Sequence, residues 1–374
     1  MKIKTITCHD VYNVGAGLQA YALLTYLEQL GHDVQIIDYK PDYLSKHYSF
    51  SIVGNPIYEK GKLIKFLYLM VKFPKRLWCY FGKRKRRFDL FKKEYLKVTP
   101  ICYSSNEHLK DETPEADIYI AGSDQIWNPL FKNGRDPAFF LDFVPENKIK
   151  ASYAASFAVE SLPIELEKEI LDRLKRLDFV SVREKSGLDI VKGLGVDRGR
   201  VVLDPVFLLD KTKWDGFCKE TTEFNERYIL IYDFDKNDII EKCAKTIAWV
   251  KKYKIYSVFK CDYADKCFRT GGPIEFVSLV KNAEFVISNS FHATAFSLIF
   301  EKQFLVVKRK ENINTRMNDL LEVLGLESRL INETSEFDNL IELDYVYIRE
   351  LLKEKIDYSK SYIQDVLESE INER

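Results

Sequence analysis

Two residues, His292 and Arg183, have the types and settings that could carry chemistry. His292 follows the apolar run Glu284–Ser288 and leads into a helical pattern over Ala293–Phe300. That puts it at the C-terminal edge of a strand, where open α/β sheets bind ligands. An imidazole titrates nearest neutrality, so the role it suggests is general acid and base. A ring satisfied by a nearby backbone group is the plain alternative. Arg183 follows the strand-like run Phe179–Val182 and precedes a helix opened by Glu184-Lys185-Ser186. Its planar fork can hold a carboxylate or a phosphate with two parallel bonds. It can equally pair with Glu184 or Asp204. Of the other histidines, His9 also ends a strand, His32 sits on a helix-terminal turn, and His47 and His108 lie in unpatterned polar stretches.

Three loops add polar groups around these two. Asn13-Val14-Gly15-Ala16-Gly17 is a strand–glycine turn–helix junction that presents backbone N–H groups, a ready anion site. It lacks the third glycine of a dinucleotide fingerprint, so no redox cofactor is expected. The run Gly122-Ser123-Asp124-Gln125-Ile126-Trp127-Asn128-Pro129 closes another strand. Asp124 and Gln125 lie in a polar loop at a strand's C-terminal end, which marks a functional loop in α/β proteins, or they only fasten that loop. Trp127 and Tyr12 offer aromatic faces for stacking, or fill the core. Ser290–Ala293 starts a helix and supplies further N–H donors. No phosphate-loop, zinc-protease, nucleophile-elbow or EF-hand pattern is present. Asp124 and Asp204 are lone carboxylates, so no metal is expected. The seven cysteines are scattered without a C-x-x-C, which argues against a disulfide framework or a zinc site.

The elements that position these groups alternate strand and helix. Lys2–Thr7 and Val34–Tyr39 read as strands around a helix over Leu18–Leu30, a βαβ unit. Ile118–Ala121, Ala138–Phe143, Lys150–Phe157, Phe179–Val182 and Val201–Leu203 read as strands, and Ile164–Leu177 as an amphipathic helix. The alternation restarts with strands at Tyr228–Tyr232, Ile255–Phe259, Glu284–Ser288 and Phe304–Val307. Helices are expected at Ile239–Lys252, Pro273–Asn282, Asn318–Leu324 and Tyr347–Ser369.

The chain has 374 residues, long enough for two domains, and is 46% apolar, too apolar for disorder. Its 57 bases and 57 acids sum to zero. That balance hides residues 60–97, which hold fourteen Lys/Arg and two acids, a net of +12, interleaved with aromatics. A solvated or packed helical face would look this way, as would a nucleic-acid patch. So would a segment lying on anionic lipid. No apolar run is long enough to span a membrane, and the N-terminus lacks a signal-peptide core, so the cytoplasm is the expected compartment.

Four blocks resemble the polysaccharide pyruvyl transferase family: Tyr12-Asn13 through Leu18–Leu23, Gly122–Pro129, Val182–Lys185 and Ser290–Ser297. Asp204-Pro205 and Arg316…Leu320-Leu321 fit as well, and the blocks cover roughly residues 3–330. Val14 stands where a Tyr is usual, Ala293 where Gly is common and Asn289 where Asp is frequent. The resemblance implies an α/β, GT-B-like fold of two Rossmann-like parallel-sheet domains facing an interdomain cleft. The expected division is 1–205, with a basic aromatic helical insertion at about 60–97; 206–345; and a C-terminal helix over 346–374 packing back on the first domain. The implied donor is phosphoenolpyruvate and the acceptor a sugar of a surface polysaccharide or its lipid-linked precursor. The product is a pyruvate ketal, with phosphate released and no cofactor needed. By resemblance, His292 and Arg183 are catalytic. Asn13, Gly15, Gly17, Ser123, Asp124, Gln125, Trp127, Asn128, Ser290, Thr294 and Arg316 are substrate-binding. Contact with the inner face of an anionic membrane is expected of the basic segment, and nucleic acid is not. A nucleotide-sugar glycosyltransferase of similar fold is the alternative, and would need a diphosphate and ribose site in the C-terminal half. A non-catalytic glycan-binding protein would make Arg183 and His292 dispensable.

Overall fold

The computed structural model describes residues 1–45, 80–218, 226–309, 315–334 and 342–372, with Met70, Val71, Phe73 and Leu77. Its strands form two parallel sheets, one in each half of the chain. The first has the order β3-β2-β1-β4-β5, built from β1 (Lys2–Ile6), β2 (Asp33–Tyr39), β3 (Val98–Tyr103), β4 (Ile118–Ala121) and β5 (Ile149–Ser152). Two short strands, β6 (Val180–Val182) and β7 (Gly199–Val201), pair with each other. Single bridges such as Ala155 to Val182 run them on beside β5. The second sheet has the order β10-β9-β8-β11-β12-β13. Its strands are β8 (Tyr228–Tyr232), β9 (Lys254–Ser257), β10 (Lys266–Cys267), β11 (Phe285–Ser288), β12 (Gln303–Val307) and β13 (Leu330–Ile331). Among the described residues every strand pair is parallel. The expected two-sheet α/β architecture is therefore the observed one.

Each sheet has one topological switch point, where the chain direction of sheet growth reverses and strand ends leave a crevice. In the first sheet it lies between β1 and β4; in the second, between β8 and β11. The loops after these four strands contain Asn13–Gly15, Asp124–Gln125, Phe234 and Asn289–His292. The topology alone thus brings together most of the polar residues singled out in the sequence.

The central strands are buried on both faces, as the apolar runs of parallel sheets require. Beneath the cleft one continuous core joins the halves. Tyr21 of the Val14–Gln29 helix meets Trp214 at 5.7 Å, and Trp214 meets Phe296 of the Phe291–Ile299 helix at 4.9 Å between ring centroids.

Two of the departures from expectation have a clear local cause. Ala138–Phe143 is not a strand. Asp136 caps a 3-10 turn over Pro137–Phe140 by accepting from the Ala138 N–H, and Leu141 then adopts φ 60°. The proline preset and the Asp cap override the β-like apolar run. The strand Val98–Tyr103 escapes sequence reading because three of its six residues face solvent around Pro100.

The basic insertion falls partly outside the described residues, Trp78 included. Its described helix, Lys83–Tyr95, does internal work. Phe88 and Phe91 are buried, worth about 1.5–3 kcal/mol each. Arg87 Nε pairs with Glu275 Oε1 at 2.8 Å, and Arg84 Nη2 donates to the Tyr12 carbonyl at 3.3 Å, so this helix ties the two halves together. Phe81, by contrast, is 75% exposed. The C-terminal helix Tyr345–Asn372 crosses back to the first half: Tyr362 Oη donates to the Ser152 carbonyl at 2.8 Å, and Arg200 pairs with Asp365 at 2.6 Å. Among the described residues no helix is long and apolar enough to cross a membrane.

Candidate active site

The two switch points close on a polar cavity of about 80 Å3. The first sheet contributes Asn13, Gly15, Asp124 and Gln125; the second contributes Tyr232, Phe234, Asn289, Ser290, Phe291 and His292; Arg309, Arg316 and Met317 complete the wall.

Two helix starts set its geometry. Asn13 caps the Val14–Gln29 helix, its Oδ1 accepting from Gly15 N–H at 2.9 Å and Ala16 N–H at 3.4 Å. Ser290 caps the Phe291–Ile299 helix, its Oγ accepting from Ala293 N–H at 3.4 Å. His292 therefore sits in a helical first turn, pressed against the other helix. A Cβ on Gly15 would lie 2.0 Å from His292 Nδ1. Glycine is needed there for close approach and not for backbone freedom. Gly15→Ala should therefore displace the imidazole, destabilising the fold by about 1–3 kcal/mol and abolishing turnover. In a His292→Ala background the same change should become neutral or stabilising, since alanine is the better helix former. Chemical denaturation of the four proteins of this cycle checks it.

Behind His292 lies a buried ionic cluster. Arg183 Nη1 donates to Asp204 Oδ2 at 2.6 Å, and Arg183 Nη2 stands 3.7 Å from Asp124 Oδ1. His292 Nε2 is 3.6 Å from the same Asp204 Oδ2, an ion-pair distance too long for a hydrogen bond. Burial pushes the Asp204 carboxyl up, but His292 and Arg183 together outweigh it and hold the group well below the usual carboxylate range. Arg183 is stripped of water, yet Asp204, Asp124 and Glu184 keep its pKa raised. The same three carboxylates also raise Arg316, but they are outweighed. Burial first, and the Arg183 charge second, lower it to about 10, still protonated at neutral pH. The Phe291 ring lies by both guanidiniums, 4.7 Å from Arg183 and 5.9 Å from Arg316.

The other carboxylate, Asp124, adopts φ 74° after Gly122, where a Cβ would meet the Tyr153 carbonyl at 2.0 Å. Gln125 has its amide between Asn128 and Arg316. With the amide oxygen turned to Arg316, it accepts from Nη2 at 2.7 Å. Among the described residues, Arg183 Nε and Nη2, Arg316 Nε and His292 Nε2 have no hydrogen-bond partner although all are buried. Four orphaned donor atoms or ring nitrogens in one place are characteristic of a site built for an anionic ligand.

The structure thus gathers Asn13, Gly15, Asp124, Gln125, Ser290, His292 and Arg316 on one cavity, with Arg183 directly behind it. Five further sequence candidates do other work. Ser123 is fully buried; its N–H donates to Gln19 Oε1 and its Oγ to the Ala154 carbonyl. Trp127 is fully buried, stacked on Phe140 at 5.1 Å, and donates to the Phe139 carbonyl. Asn128 fastens the loop by accepting from the Leu130 N–H. Gly17 faces Phe91, and Thr294 Oγ donates to the Ser290 carbonyl within its own helix. His9 pairs with Asp38 at 3.0 Å, apart from the cavity. Sequence reasoning missed Phe291 and Arg309. Arg309 follows the C-terminal end of β12, the same positional signal that flagged His292.

Among the described residues no three His, Cys, Asp or Glu side chains cluster as metal ligands. Comparison with curated proteins finds no match. Among solved structures the chain is similar to a putative UDP-N-acetylglucosamine 2-epimerase from Listeria monocytogenes, at 10% identity and TM-score 0.49, covering 97% of this chain and 89% of that one. It is also similar to the UDP-GlcNAc 2-epimerase of Neisseria meningitidis, at 11% and 0.48, covering 98% and 94%. The E. coli heptosyltransferase WaaC is a weaker likeness, at 10% and 0.38, covering 83% and 90%. Likenesses of this size carry no functional argument. The sequence itself is more specific: residues 13–311, from the cap of the first helix to just beyond Arg309, match the family described as polysaccharide pyruvyl transferase. Spanning both sheets and nearly all of the cavity, that match places the chain in the polysaccharide pyruvyl transferase family.

Proposed function

We propose that the cavity binds phosphoenolpyruvate and that the chain transfers its pyruvyl group to a sugar of a surface polysaccharide or a lipid-linked precursor, forming a pyruvate ketal. The observation that carries this reading is the convergence of Arg316, Arg183 and His292, each with an orphaned buried nitrogen. A donor with carboxylate and phosphate groups supplies acceptors for such nitrogens, and charge-assisted bonds are the strong ones.

The reaction balances as follows. One sugar hydroxyl adds to C2 of the donor while the methylene carbon C3 gains a proton and becomes a methyl. The C2–O bond to phosphate then breaks. The second hydroxyl adds to C2 and closes the ketal, and its proton leaves with phosphate. His292 is the group placed to move the proton. The imidazolium formed in that transfer has the Asp204 carboxylate 3.6 Å away. Arg316 and Arg183 offset the donor's negative charge, and Gln125 fixes the Arg316 fork.

Titration calorimetry tests the donor assignment. Phosphoenolpyruvate should bind the wild-type protein, and Arg316→Met should weaken binding by about tenfold or more, the worth of one charge-assisted bond. Binding of a nucleotide sugar with none of phosphoenolpyruvate would reverse the reading in favour of a glycosyltransferase.

The same reading sets the enzyme in the cytoplasm beside an anionic membrane, where lipid-linked sugars are assembled. Its support is the +12 charge of residues 60–97 together with exposed Val71 and Phe81. At low salt, co-sedimentation with anionic vesicles should exceed that with neutral vesicles severalfold. Equal binding to both would remove this part of the proposal.

A further inference from the structure

The cavity has two cationic ends of different depth. At one end the Arg183 side chain is 1% exposed and Arg316 is buried. After burial, the strongest influence on Arg316 is the Arg183 charge, so these two cations act on each other. At the other end the Arg309 side chain is 19% exposed. Its charge is felt by a different group. Burial pushes the Tyr232 hydroxyl up to about 12, and the charges that act against that rise are Arg84 and Arg309. Tyr232 and Arg309 both line the cavity.

Arg309 is held in place by a built framework. It lies two residues past β12, with the Phe234 ring 4.7 Å from its guanidinium and Asp235 Oδ1 3.7 Å from Nη2. Asn289 Oδ1 accepts from the Phe234 N–H at 3.0 Å, and Asn289 Nδ2 donates to Asp233 Oδ1 at 3.0 Å. Asp233 in turn accepts from the Asp235 N–H at 2.9 Å and the Asn237 N–H at 2.7 Å. Asn237 Nδ2 donates to the Lys308 carbonyl at 3.4 Å. The residue before Arg309 and the two that face it therefore belong to one hydrogen-bonded unit, which fixes the direction of the guanidinium.

The two anionic groups of phosphoenolpyruvate have different fates. The carboxylate stays on C2 through to the ketal, whereas the phosphate leaves. A group that stays suits a deep and rigid grip; a group that leaves suits a cation at an open edge. Arg316 and Arg183 form the deep end, next to His292. Arg309, beside the 41% exposed Phe234, forms the edge. We infer that Arg309 is the phosphate-binding residue, and that the donor lies with its carboxylate toward Arg316 and its phosphate toward Arg309. The orientation rests on the phosphoenolpyruvate reading. When the C2–O bond breaks, its electron pair goes to the phosphate oxygen, and the Arg309 N–H groups offset the charge that develops there.

A truncated donor tests it. Isopropenyl phosphate carries a methyl group in place of the carboxylate and keeps the phosphate. It and phosphoenolpyruvate are titrated by ligand-observed NMR against the wild type, Arg309→Gln, Arg309→Lys and Arg316→Met, with thermal melts to establish folding. Arg309→Gln should weaken both ligands about tenfold or more. Arg316→Met should weaken phosphoenolpyruvate to a similar degree but leave isopropenyl phosphate within twofold. Arg309→Lys keeps the charge and loses the fork, so it should recover at least threefold of the affinity lost in Arg309→Gln. The orientation is overturned if isopropenyl phosphate fails to bind the wild type. It is also overturned if that ligand is weakened as much by Arg316→Met as by Arg309→Gln, or if Arg309→Gln leaves it within twofold. Isopropenyl phosphate binding that Arg309→Gln removes, with no phosphoenolpyruvate binding to any of the four proteins, overturns the donor reading and leaves Arg309 as a phosphate-binding residue.

Discussion

Replacing His292 by alanine should leave a folded protein whose pyruvyl transfer is slowed by about 10²- to 10⁴-fold, the range that a positioned acid–base group contributes. The fold should survive because the ring's Nε2 has no hydrogen-bond partner, and the Phe291–Ile299 helix is capped by Ser290 rather than by the imidazole. Phosphoenolpyruvate affinity should change far less than kcat, since the cations that face the donor remain. Steady-state kinetics and calorimetry separate the two quantities. An equal loss in donor affinity and in kcat would make His292 a binding group instead of a proton carrier.

The second large effect concerns Asp204. Its carboxylate is fully buried and serves Arg183, His292 and the Val206 N–H at once. Asp204→Ala leaves Arg183 buried without its hydrogen-bonded carboxylate, with Asp124 at 3.7 Å and Glu184 remaining, and should cost about 3–5 kcal/mol of stability at neutral pH. The sign of the pH dependence follows from the depressed pKa. Such a group contributes stability above its unfolded pKa of about 3.9, and that stability is lost as pH falls toward the folded value. The stability gap between wild type and variant should therefore be full at neutral pH and shrink below about pH 4. Urea melts across that range read it directly, and a gap that widens on acidification would contradict the ion-pair assignment. Asp204→Asn keeps the cap to Val206 and isolates the charge.

Much of this was legible in the sequence because parallel α/β sheets place function by rule. Strand ends before Asn13, Asp124, Arg183 and His292 were visible as apolar runs, and the rule that ligands sit at those ends pointed to each loop. The sequence could not show which polar residue in a loop faces the cleft. Ser123 and Asp124 are neighbours, yet a glycine at φ 133° and the turn that follows bury the first and aim the second into the cavity. Trp127 carries the same surface-seeking reputation as any sugar-facing aromatic, but Phe140 and the Phe139 carbonyl satisfy it inside. Asp204 looked like a lone carboxylate because its partners lie 21 and 88 residues away along the chain, as Arg183 and His292. Only the topology joins them.

The most direct test of the central claim follows the pyruvyl carbon itself. Phosphoenolpyruvate labelled with carbon-13 at C2 is incubated with the protein and a panel of neutral and lipid-linked glycosides, and NMR is recorded alongside phosphate release. The account predicts a quaternary ketal carbon on one acceptor, formed in step with phosphate and absent with His292→Ala. Phosphate release without a ketal carbon, or glycosyl transfer from a nucleotide sugar while the labelled donor stays intact, would contradict it.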